Sequence, residues 1–176
     1  SNTAVTDEGV AQLAKHWPNK PANTNPANIR RGANAMTLGS SLNLAHTVVT
    51  GHFFVNWDRH FPQQLNLSGT KIDDTFVDLL PEAFAGELLD LSHTQITDAT
   101  LMELAQKNIH TVFINDTDLT AKAMLQVYAK AANLGLNLGV RVWLVSPGQF
   151  TENEMQQLEI AGVGVRELQH ADSPTR

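Results

Sequence analysis

Residues Leu89–Asp98 read L-D-L-S-H-T-Q-I-T-D, and the phrase returns along the chain. It stands as L-N-L-A-H-T-V-V-T-G at Leu42–Gly51, L-N-L-S-G-T-K-I-D-D at Leu65–Asp74 and V-F-I-N-D-T-D-L-T-A at Val112–Ala121. Residues 3–7, T-A-V-T-D, are its back half. The closing threonines Thr47, Thr70, Thr94 and Thr117 are spaced by 23, 24 and 23 residues. A diverged copy ends at Gly148, 31 residues after Thr117, and Thr3 precedes Thr47 by 44. A period of this length marks an array of small units, each unable to bury its own apolar face, so that neighbours must stack.

Each phrase opens with alternating apolar residues: Leu42/Leu44, Leu65/Leu67, Leu89/Leu91 and Val112/Ile114. Alternation suits a short strand with one buried face. After the Thr come one free residue, an apolar one (Val5, Val49, Ile72, Ile96, Leu119, Phe150) and a helix N-cap type (Thr6, Thr50, Asp73, Thr97, Thr120, Thr151). Thr151-Glu-Asn-Glu154 is a full capping-box pattern. Apolar pairs three residues apart follow, such as Val10/Leu13, Phe54/Trp57, Val77/Leu80, Leu101/Leu104, Met124/Val127 and Met155/Leu158, giving one helix face per unit. Each unit reads as strand, turn, helix.

The array resembles the leucine-rich repeat family, whose period is roughly 20–29 residues, in the variety with I-T-D-x-x-L-x-x-L and with Thr in place of the usual Asn or Cys. The resemblance runs from Thr3 to about Leu158. It implies an α/β fold: a right-handed leucine-rich repeat solenoid with a parallel concave sheet of about five strands backed by helices. Residues 3–168 are read as one such domain. Ser1-Asn2 reads as a tag scar, 169–176 as a frayed tail, and the opening in mid-phrase as the mark of a domain cut from a longer protein. The last helix should be followed by a turn at Gly162-Val-Gly164 and a closing strand, Val163–Leu168.

The repeated threonines Thr47, Thr70, Thr94 and Thr117 are expected to form a structural ladder, buried at the strand exits, with hydroxyls bridging one turn to the next. Two segments break the period. Residues 17–41 hold three prolines and much Asn and Ala, which is loop composition, although a step of 44 also admits a degenerate repeat. The long step 117–148 contains the strongly helix-forming stretch 121–133 and a following loop. Both insertions fall between helix and strand and should emerge on one edge of the sheet. In the run V-W-L-V at 142–145, counting back from Gly148 makes Trp143 a core residue, whereas alternation buries Val142 and Leu144. The second phase is favoured here, with a one-residue bulge near Ser146-Pro147.

The chain has 176 residues, a net charge of −6 and no cysteine. Disulfides and thiolate metal sites are excluded, but the compartment is not fixed. The acidic balance, with Arg30-Arg31 the nearest basic cluster, argues against a general affinity for nucleic acid or an anionic membrane. No phosphate-binding loop, nucleophile elbow, zinc-protease or dinucleotide motif is present, and the chain is not read as an enzyme. The sequons at Asn66 and Asn115 are by-products of the repeat phrase. His46 and His93 share a repeat position two strands apart, too far for one metal without further ligands; His52, Asp58 and His60 match no metal motif. No metal or cofactor is expected.

Function should lie in the positions that vary. On the concave face these are Asn43, Asn66, Asp90, Ser92, His93, Phe113, Asn115 and Asp116, a small, polar, weakly acidic surface with one aromatic. Together with the two helix-to-strand edge loops, 17–41 and the one in 117–148, it suits binding of a protein or peptide partner, a basic one above all. A structural or regulatory role, packing in cis on an upstream catalytic or redox domain, is the alternative. An uncovered apolar patch at Val5, Val10 and Leu13 would favour it.

Overall fold

The computed structural model describes residues 4–17, 40–57, 61–80 and 84–168. The interior of the first insertion with Arg30-Arg31, residues Asp58 and His60, Thr3 with the two residues before it, and the tail 169–176 lie outside them. The alternating phrases become six strands: β1 Ser41–Asn43, β2 Gln64–Asn66, β3 Ala85–Asp90, β4 Asn108–Phe113, β5 Val142–Val145 and β6 Val165–Glu167. They form one open parallel sheet in chain order. Six strands replace the expected five or so because the closing segment pairs fully with β5. Gly162, at φ 75°, makes the turn that leads into it.

Register sets like against like. Leu42, Leu65, Leu89, Val112 and Trp143 are successive partners across the sheet and point into one core. That core is shared with α1 Asp7–His16, α2 Thr75–Leu79, α3 Leu101–Gln106, α4 Ala121–Leu134 and α5 Glu152–Ile160. The long step holds the longest helix, α4, with 14 residues, ended by Gly135 in the left-handed region at φ 65°. The unit after β1 has a five-residue 3-10 helix, His52–Asn56, in place of an α-helix. Aromatic bulk fills the volume that further turns would occupy. Phe54 lies 4.3 Å from Phe53, 5.7 Å from Phe76, 5.8 Å from Phe61 and 5.9 Å from Trp57, measured between ring centroids. Gly51 permits this entry. Its φ is 96°, and a Cβ there would stand 2.6 Å from the Phe76 ring.

The phase of β5 is the reverse of the one expected. Trp143 is fully buried, with Val145 beside it, while Val142 and Leu144 are only half-buried on the opposite face. In a run of four apolar residues alternation fits either phase, and the large indole fills the layer behind Val112. Its Nε1 donates to the Tyr128 hydroxyl at 2.9 Å, so the one polar atom brought inside is satisfied.

A tight turn ends each strand. His46, Gly69, His93 and Asp116 occupy the left-handed region there, at φ 58°, 64°, 57° and 51°. Their amides lock each turn to the next: His46, Gly69 and His93 donate to the carbonyls of Ser68, Ser92 and Asn115, each at 2.8 Å. The backbone therefore does the bridging expected of the threonines. Each Thr hydroxyl instead closes its own turn, donating to the carbonyl three residues back: Thr47 to Leu44 at 2.7 Å, Thr70 to Leu67 at 2.6 Å, Thr94 to Leu91 at 2.5 Å and Thr117 to Ile114 at 2.9 Å. Thr70 and Thr94 are buried, Thr47 and Thr117 half-buried. In the last copy an extra residue, Ser146, delays the turn. Gly148 takes the left-handed place and Gln149 the Thr place, its side chain accepting from the Asp116 and Ser146 amides and donating to the Ile114 carbonyl.

Carboxylates supply a second ladder. Asp74 accepts from the Thr97 amide at 2.8 Å and hydroxyl at 2.7 Å, and Asp98 does the same for Thr120 at 2.7 Å each. The Thr hydroxyl in turn accepts from the first-turn amide of its own helix, Ala99 or Ala123. Asp7 receives the amides of Thr50, Gly51 and Phe53 and the Thr50 hydroxyl. The units of α1 and β1 are thus direct neighbours although Asp7 and Thr50 are 43 positions apart. Where Gly51 or Ala121 stands in place of the accepting carboxylate, the next cap needs no help. Asp73 is itself an acceptor, bonding the Thr75 amide and hydroxyl, and Thr151 draws on Glu154 of its own helix at 2.8 and 2.7 Å.

Candidate functional site

One face of the sheet is covered by the helices; among the described residues the other is left open, and its residues follow from the register. Asn43, Asn66, Asp90, Phe113, Leu144 and Arg166 succeed one another from β1 to β6. Beside them run Gln64, Leu88, Thr111 and Val142. The two rows divide chemically. From β1 to the exit of β3 the positions in the first row are polar and occupied locally: Asn43 Oδ1 accepts the Ala45 amide at 3.0 Å, Asn66 the Ser68 amide at 2.9 Å, and Asp90 the Ser92 amide at 3.0 Å. These side chains hold the strand exits as Asx turns, which reduces what they can offer a partner. Across β3–β5 the same rows become mostly apolar, with Leu88, Phe113, Val142 and Leu144 all half-buried around Thr111.

Ser92 and Asn115, expected on the contact surface, are instead buried, at 4 % and 8 % exposure. The turn tucks them inward, and Asn115 Nδ2 donates to Ser92 Oγ at 2.9 Å. Among the described residues Asn115 Oδ1 is buried without a hydrogen-bond partner. His93 and Asp116 are exposed and face each other, Nδ1 to Oδ2 at 3.3 Å. Of the eight predicted contact residues, Phe113 therefore joins the apolar strip, His93 and Asp116 form a pair at its exit edge, and Asp90 borders it. Asn43 and Asn66 lie away from it. Leu88, Val142 and Leu144 were assigned no contact role by sequence; the register against Thr111 and Phe113 is the signal that finds them.

At the strand-entry margin, Gln63, Glu87, Asn108, His110 and Arg141 line a shallow groove of about 360 Å³. Glu87 and Arg141 flank His110 from the adjacent strands. His46 does not share a site with His93: its ring lies over Gly69, with Nδ1 2.5 Å from where a Cβ would stand. Among the described residues no group of three or more His, Cys, Asp or Glu is placed to hold a metal, and no helix is long and apolar enough to cross a membrane. Among the described residues two titrating groups are shifted, both away from the open face. Burial pushes the Tyr128 phenol above its usual 10.0, partly offset by the Trp143 indole N–H. The Thr151 amide and hydroxyl hold the Glu154 carboxyl below its usual 4.5.

Comparison of the sequence with protein-family models and with curated proteins returns no match.

Proposed function

We propose that the chain is a right-handed leucine-rich repeat solenoid that binds a protein or peptide on its open sheet face. The repeat phrase, the parallel strands in chain order and their consecutive pairing support the solenoid reading. The observation that carries the function is the half-buried apolar group of Leu88, Phe113, Val142 and Leu144, gathered around Thr111 on a face that the helices leave uncovered. Apolar surface gathered in one place, rimmed by polar side chains, is the usual mark of a contact site. A photo-crosslinking phenylalanine analogue placed at Phe113 tests it. A discrete adduct formed from position 113, and not from the exposed α4 position Lys122, is expected; equal or absent adducts at both positions overturn the assignment.

A second reading is favoured by the N-terminal end, where Val5, just before α1, and Leu13 on it are 43 % and 44 % exposed, while Val10, the third residue of the expected patch, is buried in the core. Exposed apolar side chains at this end suit packing in cis against another domain of a longer protein. Appending or removing such a domain would then change the protection of α1 amides from hydrogen exchange, which the first reading does not require.

A further inference from the structure

Resting on the reading of the open face as a contact site, we infer that the partner segment is dipolar, with a basic and an acidic side chain flanking an apolar one. The row through the strip and the row at its strand-entry margin carry the same polarity. In one, Asp90, Phe113, Leu144 and Arg166 follow each other across β3 to β6: acid, aromatic, aliphatic, base. In the other, Glu87 on β3, His110 on β4 and Arg141 just before β5 line one groove. Acids stand on β3 and guanidinium groups at the entry of β5 and on β6, with Phe113 and Leu144 between them in the first row and His110 in the second.

These charges are not consumed within the protein. Among the described residues Glu87, Arg141 and Arg166 form no side-chain hydrogen bond or ion pair, and Asp90 gives only Oδ1, to the Ser92 amide. The His93–Asp116 pair at the exit edge, by contrast, is already matched internally. A partner of uniform charge would meet its own sign at one end of the strip, which costs affinity and disfavours encounter. Neighbouring strands lie ~4.8 Å apart, so β3 and β5 are separated by roughly 10 Å and β3 and β6 by roughly 14 Å. An extended peptide at ~3.3 Å per residue crosses that span in three or four residues. The partner's base belongs over Glu87 and Asp90, its acid over Arg141 and Arg166, and its apolar side chain on Phe113 and Leu144.

Random 12-residue peptides displayed on phage are selected on the intact protein and counter-selected on Phe113→Ser. The most enriched sequence is then synthesised with its charges as found, with both basic and with both acidic. Tight binding is expected from the opposite-charge form, with each same-charge form at least ten-fold weaker. On the Arg141→Glu/Arg166→Glu protein the both-basic form should become the tightest binder. Peptides that need Phe113 but bind within two-fold of one another whatever their charges would overturn the dipolar partner and leave the contact face standing. Failure to enrich any Phe113-dependent peptide would overturn both.

Discussion

Removal of the Asp74 carboxylate tests how the units are joined. Asp74 leads into α2, yet its bonds go to the following unit: the Thr97 amide at 2.8 Å, the Thr97 hydroxyl at 2.7 Å and the buried Thr100 hydroxyl at 3.2 Å. Bonds to an ionised acceptor contribute ~1.5–3 kcal/mol each when buried, and these are only part-buried, so water recovers some of the loss. Thr100 retains a weaker acceptor in the Thr97 carbonyl at 3.4 Å. Asp74→Ala should therefore destabilise by about 2–4 kcal/mol, and Asp74→Asn, which keeps one acceptor oxygen, by about half as much. Thr97→Ala removes the hydroxyl that links the carboxylate to the Ala99 amide and should cost ~1–2 kcal/mol by itself. Because the two residues share bonds, the double variant should fall short of additivity by ~1–2 kcal/mol. Equilibrium urea unfolding supplies all four values, with Asp78→Ala on the exposed face of α2 as a control expected within ~0.5 kcal/mol of wild type. A loss below ~0.5 kcal/mol for Asp74→Ala, or strict additivity with Thr97→Ala, refutes the cross-unit cap.

Three further outcomes are expected. A Cβ on Gly139 would overlap the Lys107 carbonyl, and the Gly139 amide is held by the Ala105 carbonyl at 2.7 Å, so Gly139→Ala should cost ~1–3 kcal/mol and lower the melting temperature by several degrees in a calorimetric scan. Trp143→Ala should cost ~3–5 kcal/mol in chemical denaturation and Leu144→Ala about 1 or less; the opposite ranking would return β5 to the other phase. Tyr128 is the chain's one tyrosine, so tyrosinate absorbance reports it alone, and its midpoint should lie above 10.0. Since the raised folded value favours the protonated phenol, its contribution to stability is present below the unfolded pKa near 10 and lost as pH rises through the folded value; a midpoint at or below 10 refutes the burial.

Much of this arrangement was legible in the repeated phrase because each recurrent residue has one geometric job. Leu65 and Leu67, or Leu89 and Leu91, alternate with polar neighbours, so their facing is unambiguous. Val142-Trp-Leu-Val145 offers no polar residue to set the phase, and only the 31-residue step from Val112 to Trp143 does so. Ser92 and Asn115 looked exposed because a strand extended through them would turn them outward; the left-handed residue that follows curls the chain sooner. The carboxylate ladder was visible only as Thr-Asp pairs that read as self-contained caps. Its signature lay in the exceptions, Gly51 and Ala121, which stand just before the units whose caps are Asp73 and the Glu154-supported Thr151. The open face was half legible: Phe113 stood out, but the polarity from Asp90 to Arg166 needs the register of four strands.

The carboxylate ladder also gives the array a grammar. The Thr50, Thr97 and Thr120 units are completed by a carboxylate of the unit before, Asp7, Asp74 and Asp98, so units are not interchangeable beads: these Thr-capped units need a predecessor that carries Asp beside its own cap, and the Asp73 unit fits behind Gly51, where no carboxylate opposes it. Of the Thr-capped units, the Thr151 unit carries its own acceptor, Glu154, and can be spliced behind any neighbour. Duplications and chimaeras of this chain should succeed at that junction and fail at the others unless the preceding Asp travels with the unit it serves.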